Sequence, residues 1–281
     1  KKIYNRLCHK HLADKVWFCP VQYSVSFAFR QQIAYTGRMQ KLLSAMRKAV
    51  SDYDMIQDND RIAVGLSGGK DSVALLALLA AYRKFSPQAF DLHAVHIDAG
   101  FGTSERQLDT MRAYCDSIEV PFTVEKTEIA QIIEIRGEKS PCSLCAKMRR
   151  GALNTTAIRL GCNKLALGHH ADDVAETFLL SMIYEGRLHT FSAVTYMSRM
   201  QMTMIRPLLY IEEKYLSGLA RRYDLPVIDN PCPHDKHTQR EAVKQLLRDV
   251  DERFDHAKAH ILTALFHPER NDLLDPPISR K

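Results

Sequence analysis

Six consecutive residues, Ser67-Gly68-Gly69-Lys70-Asp71-Ser72, put two hydroxyls, a flexible backbone, a cation and a carboxylate into one short turn. That set suits an anion. Gly68 and Gly69 let the chain turn sharply and approach a phosphate closely, because no Cβ intervenes. Ser67 and Ser72 supply hydroxyl donors, and Lys70 supplies positive charge. Asp71 would repel a phosphate unless a Mg²⁺ ion stood between them. The turn follows the apolar run Ile62-Ala63-Val64-Gly65-Leu66 and precedes an apolar stretch, Val73 to Tyr82. Backbone N–H groups and a helix N-terminus therefore face the same anion.

Two further clusters carry chemistry. Gly168-His169-His170-Ala171-Asp172-Asp173 also joins a strand to a helix. A helix dipole favours acidic residues in its first turn on structural grounds alone. Beside a phosphate site, however, Asp172 and Asp173 suit a Mg²⁺ or catalytic role, Asp173 foremost. Cys142 and Cys145 form Pro-Cys-Ser-Leu-Cys, with Lys147, Arg149 and Arg150 following. This C-x-x-C pair can share a metal or a cluster, and by itself it leaves zinc, iron–sulfur and redox roles open. The nearby cations would stabilise thiolates or an anionic cluster, or hold phosphates of RNA or ATP.

Two familiar phosphate loops do not fit. The Walker A pattern needs a Gly where Val64 stands and Ser or Thr where Asp71 follows the Lys, and no G-x-G-x-x-G is present. The loop instead resembles the PP-loop of the ATP pyrophosphatases, which implies ATP cleavage between its α and β phosphates and adenylation of a substrate. In such proteins backbone groups at the end of the second strand, here His96-Ile97-Asp98, read the adenine edge. Taken with Asp60-Arg61-Ile62, Ile205-Arg206-Pro207-Leu208 and Gln239-Arg240, the motifs over roughly residues 38–255 resemble TtcA-type tRNA 2-thiocytidine synthetases.

The resemblance implies an ATP-dependent tRNA thiolation at C2 of a cytidine, cytidine 32 of the anticodon loop. It implies ATP contacts from Ser67, Gly68, Gly69, Lys70, Asp71, Ser72, His96, Gly168, Asp172 and Asp173. The catalytic set is Asp71, Asp173, Lys70 and Cys232. Cofactors would be Mg²⁺ and a [4Fe–4S] cluster on Cys142, Cys145 and Cys232. His234 and His237, just past Cys232, offer a zinc centre as the alternative. Partners would be tRNA and a sulfur donor, such as a cysteine desulfurase or sulfide, with a homodimer as the family's common state. Two other readings compete: a PP-loop enzyme with another target nucleotide or an amine nucleophile, and a zinc-stabilised RNA-binding module with a vestigial ATP site.

Positioning these loops requires a particular scaffold. Strands at Arg61–Leu66, Asp91–Ile97, Phe122–Glu125 and Lys164–Leu167 alternate with helices at Ser72–Lys84, Ser104–Ser117, Ile129–Ile135, Ala146–Leu160 and Asp172–Tyr184. That alternation predicts an α/β fold, a doubly wound, mainly parallel sheet with ligands at the carboxyl ends of its strands. Apolar residues at helical spacing from Arg38 to Tyr53, interleaved with Arg38, Lys41, Arg47 and Lys48, predict an amphipathic basic helix ahead of the sheet. The domain reading is an N-terminal extension over 1–35, this lead-in over 36–58, a PP-loop domain over 59–255 and a tail over 256–281.

The composition agrees. Of 281 residues 46% are hydrophobic and 26% charged, as in an ordinary globular protein. The net charge of +6 permits nucleic-acid binding without requiring it. No apolar run approaches the roughly 18 residues of a membrane span, and no signal-peptide layout is visible, so a cytoplasmic setting with no membrane partner is expected. Seven cysteines there point to metal or catalysis rather than disulfides. Cys8, His9, His11 and Cys19 are ligand types at no standard metal spacing, and Cys115 and Cys162 read as small buried apolar residues.

Overall fold

A computed structural model describes residues 37–137, 141–228, 232 and 239–270. The expectations placed on residues 1–35 and on His234 and His237 lie outside the described residues.

The chain builds a six-stranded sheet in the order β3-β2-β1-β4-β6-β5. The strands are β1 (Asp60–Gly65), β2 (Phe90–Asp98), β3 (Phe122–Lys126), β4 (Lys164–Ala166), β5 (Val194–Met197) and β6 (Met202–Ile205). All pairings are parallel except the β5–β6 hairpin. β1 sits centrally, with Val64 opposite Ala94 on one side and Ala166 on the other. Between the strands run α1 (Gly37–Asp52), α2 (Lys70–Arg83), α3 (Glu105–Ser117), α4 (Ile129–Arg136), α5 (Pro141–Arg159) and α6 (Ala171–Glu185). The chain continues through α7 (Glu213–Arg222), α8 (Gln239–Arg253) and α9 (Ala257–Phe266).

Alternation along the strands separates two cores. Ile62 and Val64 face one layer with α1, α2, α3, α6 and α7, whereas Ala63, Val95 and Leu165 face the other with α4 and α5. Every residue of α2 from Ser72 to Tyr82 is buried, which is why that helix is apolar all round. Ser104 and Gln107 cap α3 reciprocally, and Gly137 and Gly186 end α4 and α6 at φ +55° and +63°. Cys115 and Cys162 are buried, and burial pushes the Cys115 thiol up to about 12.

At the opposite end from the glycine turn, Lys164 opens β4 against Asp60 of β1 at 2.7 Å and donates to the Met55 carbonyl. Asn163 Nδ2 donates to the other Asp60 oxygen at 2.7 Å. This buried, saturated pair fixes the register of the two central strands. Three features differ from the expectation. α5 starts at Pro141 rather than Ala146, so Cys142 and Cys145 stand in its first turn. Residues 187–202 include β5, which was not anticipated. The stretch expected as a tail includes α9, whose Leu262 is buried.

Candidate active site

Between β1 and α2, Gly68 adopts φ +87°, a conformation an L side chain rarely takes. The turn is held from within. Ser67 Oγ donates to Ser72 Oγ at 3.0 Å, Ser72 Oγ donates to the Gly69 carbonyl at 2.8 Å, and the Gly69 N–H donates to Ser67 Oγ at 3.3 Å. Gly69 is the N-cap of α2 and makes no side-chain cap, so the N–H groups of the first helical turn point outward to an anion. Lys70 Nζ bridges Asp71 at 3.0 Å and Glu213 at 2.7 Å. Burial works against the Lys70 charge, but Glu213 and Asp71 outweigh it and raise its pKa. Glu213, bonded also to Lys244 at 2.7 Å, is lowered to about 2 despite its own burial.

The loop after β4 lies directly on this turn. A Cβ on Gly168 would stand 3.1 Å from the Asp71 carbonyl and 3.2 Å from the Ser72 nitrogen. The loop thus brings His170 between the carboxylates, its Nε2 at 3.8 Å from Asp71 and 3.5 Å from Asp173. Asp173 accepts from the His170 N–H and pairs with Arg240 at 3.2 Å; Arg240 also holds the buried Glu176. Asp71 Oδ1 is buried without a hydrogen-bond partner. An orphaned carboxylate oxygen beside a phosphate turn fits a divalent cation, and Asp71 with Asp173 can hold one.

Two of the expected contact residues have side chains engaged elsewhere. Asp172 turns away: one oxygen accepts from the Glu213 N–H at the start of α7 at 2.7 Å and the other pairs with Lys258 of α9 at 2.8 Å. Lys258 and this backbone bond outweigh burial and lower its pKa. Asp172 therefore docks three helices rather than facing the phosphates. His96 is 3% exposed, and its Nδ1–H donates to the Leu66 carbonyl at 2.8 Å. Burial lowers its pKa, so the neutral ring props the start of the turn instead of lining the cavity.

That cavity, of about 310 Å³, lies over the carboxyl ends of β1, β2 and β4. Ser67, Asp71, Ser72 and Gly168 form its floor, Val95, Ile97 and Leu165 its apolar wall, and Arg149 and Arg150 of α5 its basic rim. The Arg149 charge also acts on Cys145. Burial raises the Cys145 pKa, Arg149 opposes that rise, and the Cys232 and Cys142 sulfurs add to it. The three expected thiols are thus electrostatic neighbours grouped at an arginine. Among the described residues no three His, Cys, Asp or Glu side chains form a closed metal-binding set. The donor chemistry, three thiols with a cation beside them, fits an anionic thiolate-ligated centre. The segment leading to Cys232 is anchored on the phosphate turn, because the Ile228 N–H donates to the Gly68 carbonyl at 3.0 Å.

Glu213, Lys244 and Glu176 were missed by reading the sequence. Glu213 alone left a trace, as the acidic residue opening a helix; nothing local marks the other two.

Comparison with known proteins follows the same lines. Residues 37–250 match a family model described as a PP-loop domain. A tRNA-cytidine(32) 2-sulfurtransferase of Pelobacter propionicus is 40% identical over 250 residues, which cover 88% of this chain and 92% of the relative. The same-named protein of Neisseria meningitidis is 38% identical over 229 residues, 80% of this chain and 71% of the relative. Among solved structures, the U34-tRNA thiolase NcsA of Methanococcus maripaludis with its [4Fe-4S] cluster superimposes at a TM-score of 0.69 with 25% identity. The match covers 87% of this chain and 84% of that one. With its phosphate turn, its sheet and its extended match all in agreement, the chain belongs to the PP-loop family.

Proposed function

We propose that the protein is an ATP-dependent tRNA sulfurtransferase that replaces the C2 oxygen of cytidine 32 by sulfur. One observation carries this reading: Arg149 lines the nucleotide cavity and its charge acts on Cys145, so the nucleotide and the thiols share one cation. The relatives' names supply the nucleotide.

The residues divide the work. Outward N–H groups of α2 and the Ser67 and Ser72 hydroxyls receive the phosphates, and the Gly168 loop closes against them. Asp71 and Asp173 would hold Mg²⁺, which would supply positive charge to the phosphates. The C2 oxygen of the base attacks the α-phosphorus and pyrophosphate departs, with Lys70 balancing the charge that develops there. A sulfur nucleophile then attacks C2 and AMP leaves with the original oxygen. Cys142, Cys145 and Cys232 would hold a [4Fe–4S] cluster, which would supply the chemistry of sulfur delivery. Arg149 compensates the negative charge of thiolates and phosphates alike. An anticodon-loop base is accessible because it can be splayed out of its stack.

The test uses protein purified without oxygen, wild type and Cys232→Ser. The expected result is about four irons and four acid-labile sulfides in the wild type, with ATP-dependent 2-thiocytidine in digested tRNA, and both lost in the variant. One zinc and no sulfide overturns the cluster; absence of 2-thiocytidine overturns the reaction.

A further inference from the structure

The four cations set among the carboxylates beside the phosphate turn are engaged, and Arg149 and Arg150 rim the nucleotide cavity. Lys70 and Lys244 hold Glu213, Lys258 holds Asp172 and Glu212, and Arg240 holds Asp173 and Glu176. A second group of cations has no such use. α1 and α7 enclose a groove of about 540 Å³ whose lining includes Arg38, Lys41, Lys214, Arg221 and Arg222 and no carboxylate. Lys214 pairs with Glu212 at 3.0 Å. Arg38, Lys41, Arg221 and Arg222 are exposed and form no ion pair among the described residues. Tyr215, 52% exposed, stands on the same wall with the Lys214 ammonium 5.0 Å from its ring centre.

We infer that this groove is a docking surface for the tRNA backbone, outside the nucleotide cavity. Clustered cations without intramolecular partners neither stabilise the fold nor release counterions until a polyanion arrives. Their two walls differ in sequence position but share one sign, which is the footprint of a phosphate chain rather than of one bound anion. An exposed tyrosine beside them offers a stacking face for an unpaired base. The groove connects with the reaction through α7: Glu213, which holds Lys70, immediately precedes Lys214. The inference rests on the proposed tRNA substrate and adds where its backbone is held.

Two double variants test it, Arg221→Gln/Arg222→Gln on α7 and Arg38→Gln/Lys41→Gln on α1. tRNA affinity is measured against salt, and the affinity for a non-hydrolysable ATP analogue is measured in parallel. Each phosphate contact contributes a slope of about 0.9 in log affinity against log salt, or about fivefold at 0.15 M. Each double variant is therefore expected to bind tRNA about 30-fold more weakly, with the slope shallower by about 2 and nucleotide affinity unchanged. Wild-type slope and affinity in both variants overturn the docking surface, leave the sulfurtransferase reading intact and assign the groove to an acidic protein. Failure of the wild type itself to bind tRNA overturns that reading and the surface with it.

Discussion

Substituting Gly68 by Ala tests the anchoring of the cysteine segment on the phosphate turn. At φ +87° the new Cβ would lie 2.2 Å from Ile228 Cγ1 and 2.5 Å from its Cδ1. Two costs arise. The backbone conformation itself disfavours an L side chain by about 1–2 kcal/mol. Forcing aside a packed, branched side chain costs about 1–3 kcal/mol more, for a total of roughly 2–5 kcal/mol. The structure separates them. The same Cβ stands 3.6 Å from Ile228 Cβ, an ordinary contact, so in an Ile228→Ala background only the backbone cost remains. A double-mutant cycle by urea unfolding is expected to show Gly68→Ala costing about 1–3 kcal/mol less when Ile228 is already Ala. Nucleotide affinity should fall in Gly68→Ala and recover in part in the double variant. Additive costs, or a Gly68→Ala cost below about 0.5 kcal/mol, the range of a bland surface change, would refute the contact as the reason for glycine here.

Three other outcomes follow from the structure. Lys164→Met leaves Asp60 buried without its cation and is expected to lower stability by about 3–5 kcal/mol, read as a shift in the urea midpoint at constant slope. Glu213, held near 2, contributes stability that is complete above its ordinary value of 4.5 and is lost as pH falls from there through about 2. A Glu213→Gln variant should show a flatter stability profile over that window, by on the order of 3 kcal/mol, in pH-dependent unfolding. Arg149→Ala removes the cation beside Cys145, so anaerobically reconstituted protein should release iron to a chelator at about 10–100-fold lower chelator concentration and bind ATP more weakly.

The parallel part of the fold was legible because its signal is local. Each of β1, β2, β3 and β4 meets a turn and then a helix, and their predicted limits fall within one residue of the observed ones. The Ser67–Ser72 turn was legible for the same reason, since its function is written in contiguous residues. α5 was read five residues late, although proline suits a first helical position and Pro141 opens the helix. β5 has no alternating stripe to betray it: as a four-residue edge strand it is paired on one side only. Asp173 was ranked ahead of Asp172 in sequence, but only the arrival of α7 and α9 on one side and Arg240 on the other shows why the two have different surroundings. Such distinctions depend on contacts between distant segments, which no window of sequence contains.

The ion pairs that complete the site have a consequence in time. Lys70 is synthesised long before Glu213, and Asp172 before Lys258, so the chain emerges from the ribosome with its phosphate turn first and the partners of that turn last. At about 5–20 residues per second, the interval between Lys70 and Lys258 is about 10–40 s. Throughout it the turn lacks Glu213 or the helix packing that fixes Glu213 in place. Long-range contacts of this kind also close late in folding, because their loop entropy has to be overcome first. Assembly of the site is thereby tied to synthesis through Lys258: a shorter nascent chain holds the glycine turn but not the full charge network around it.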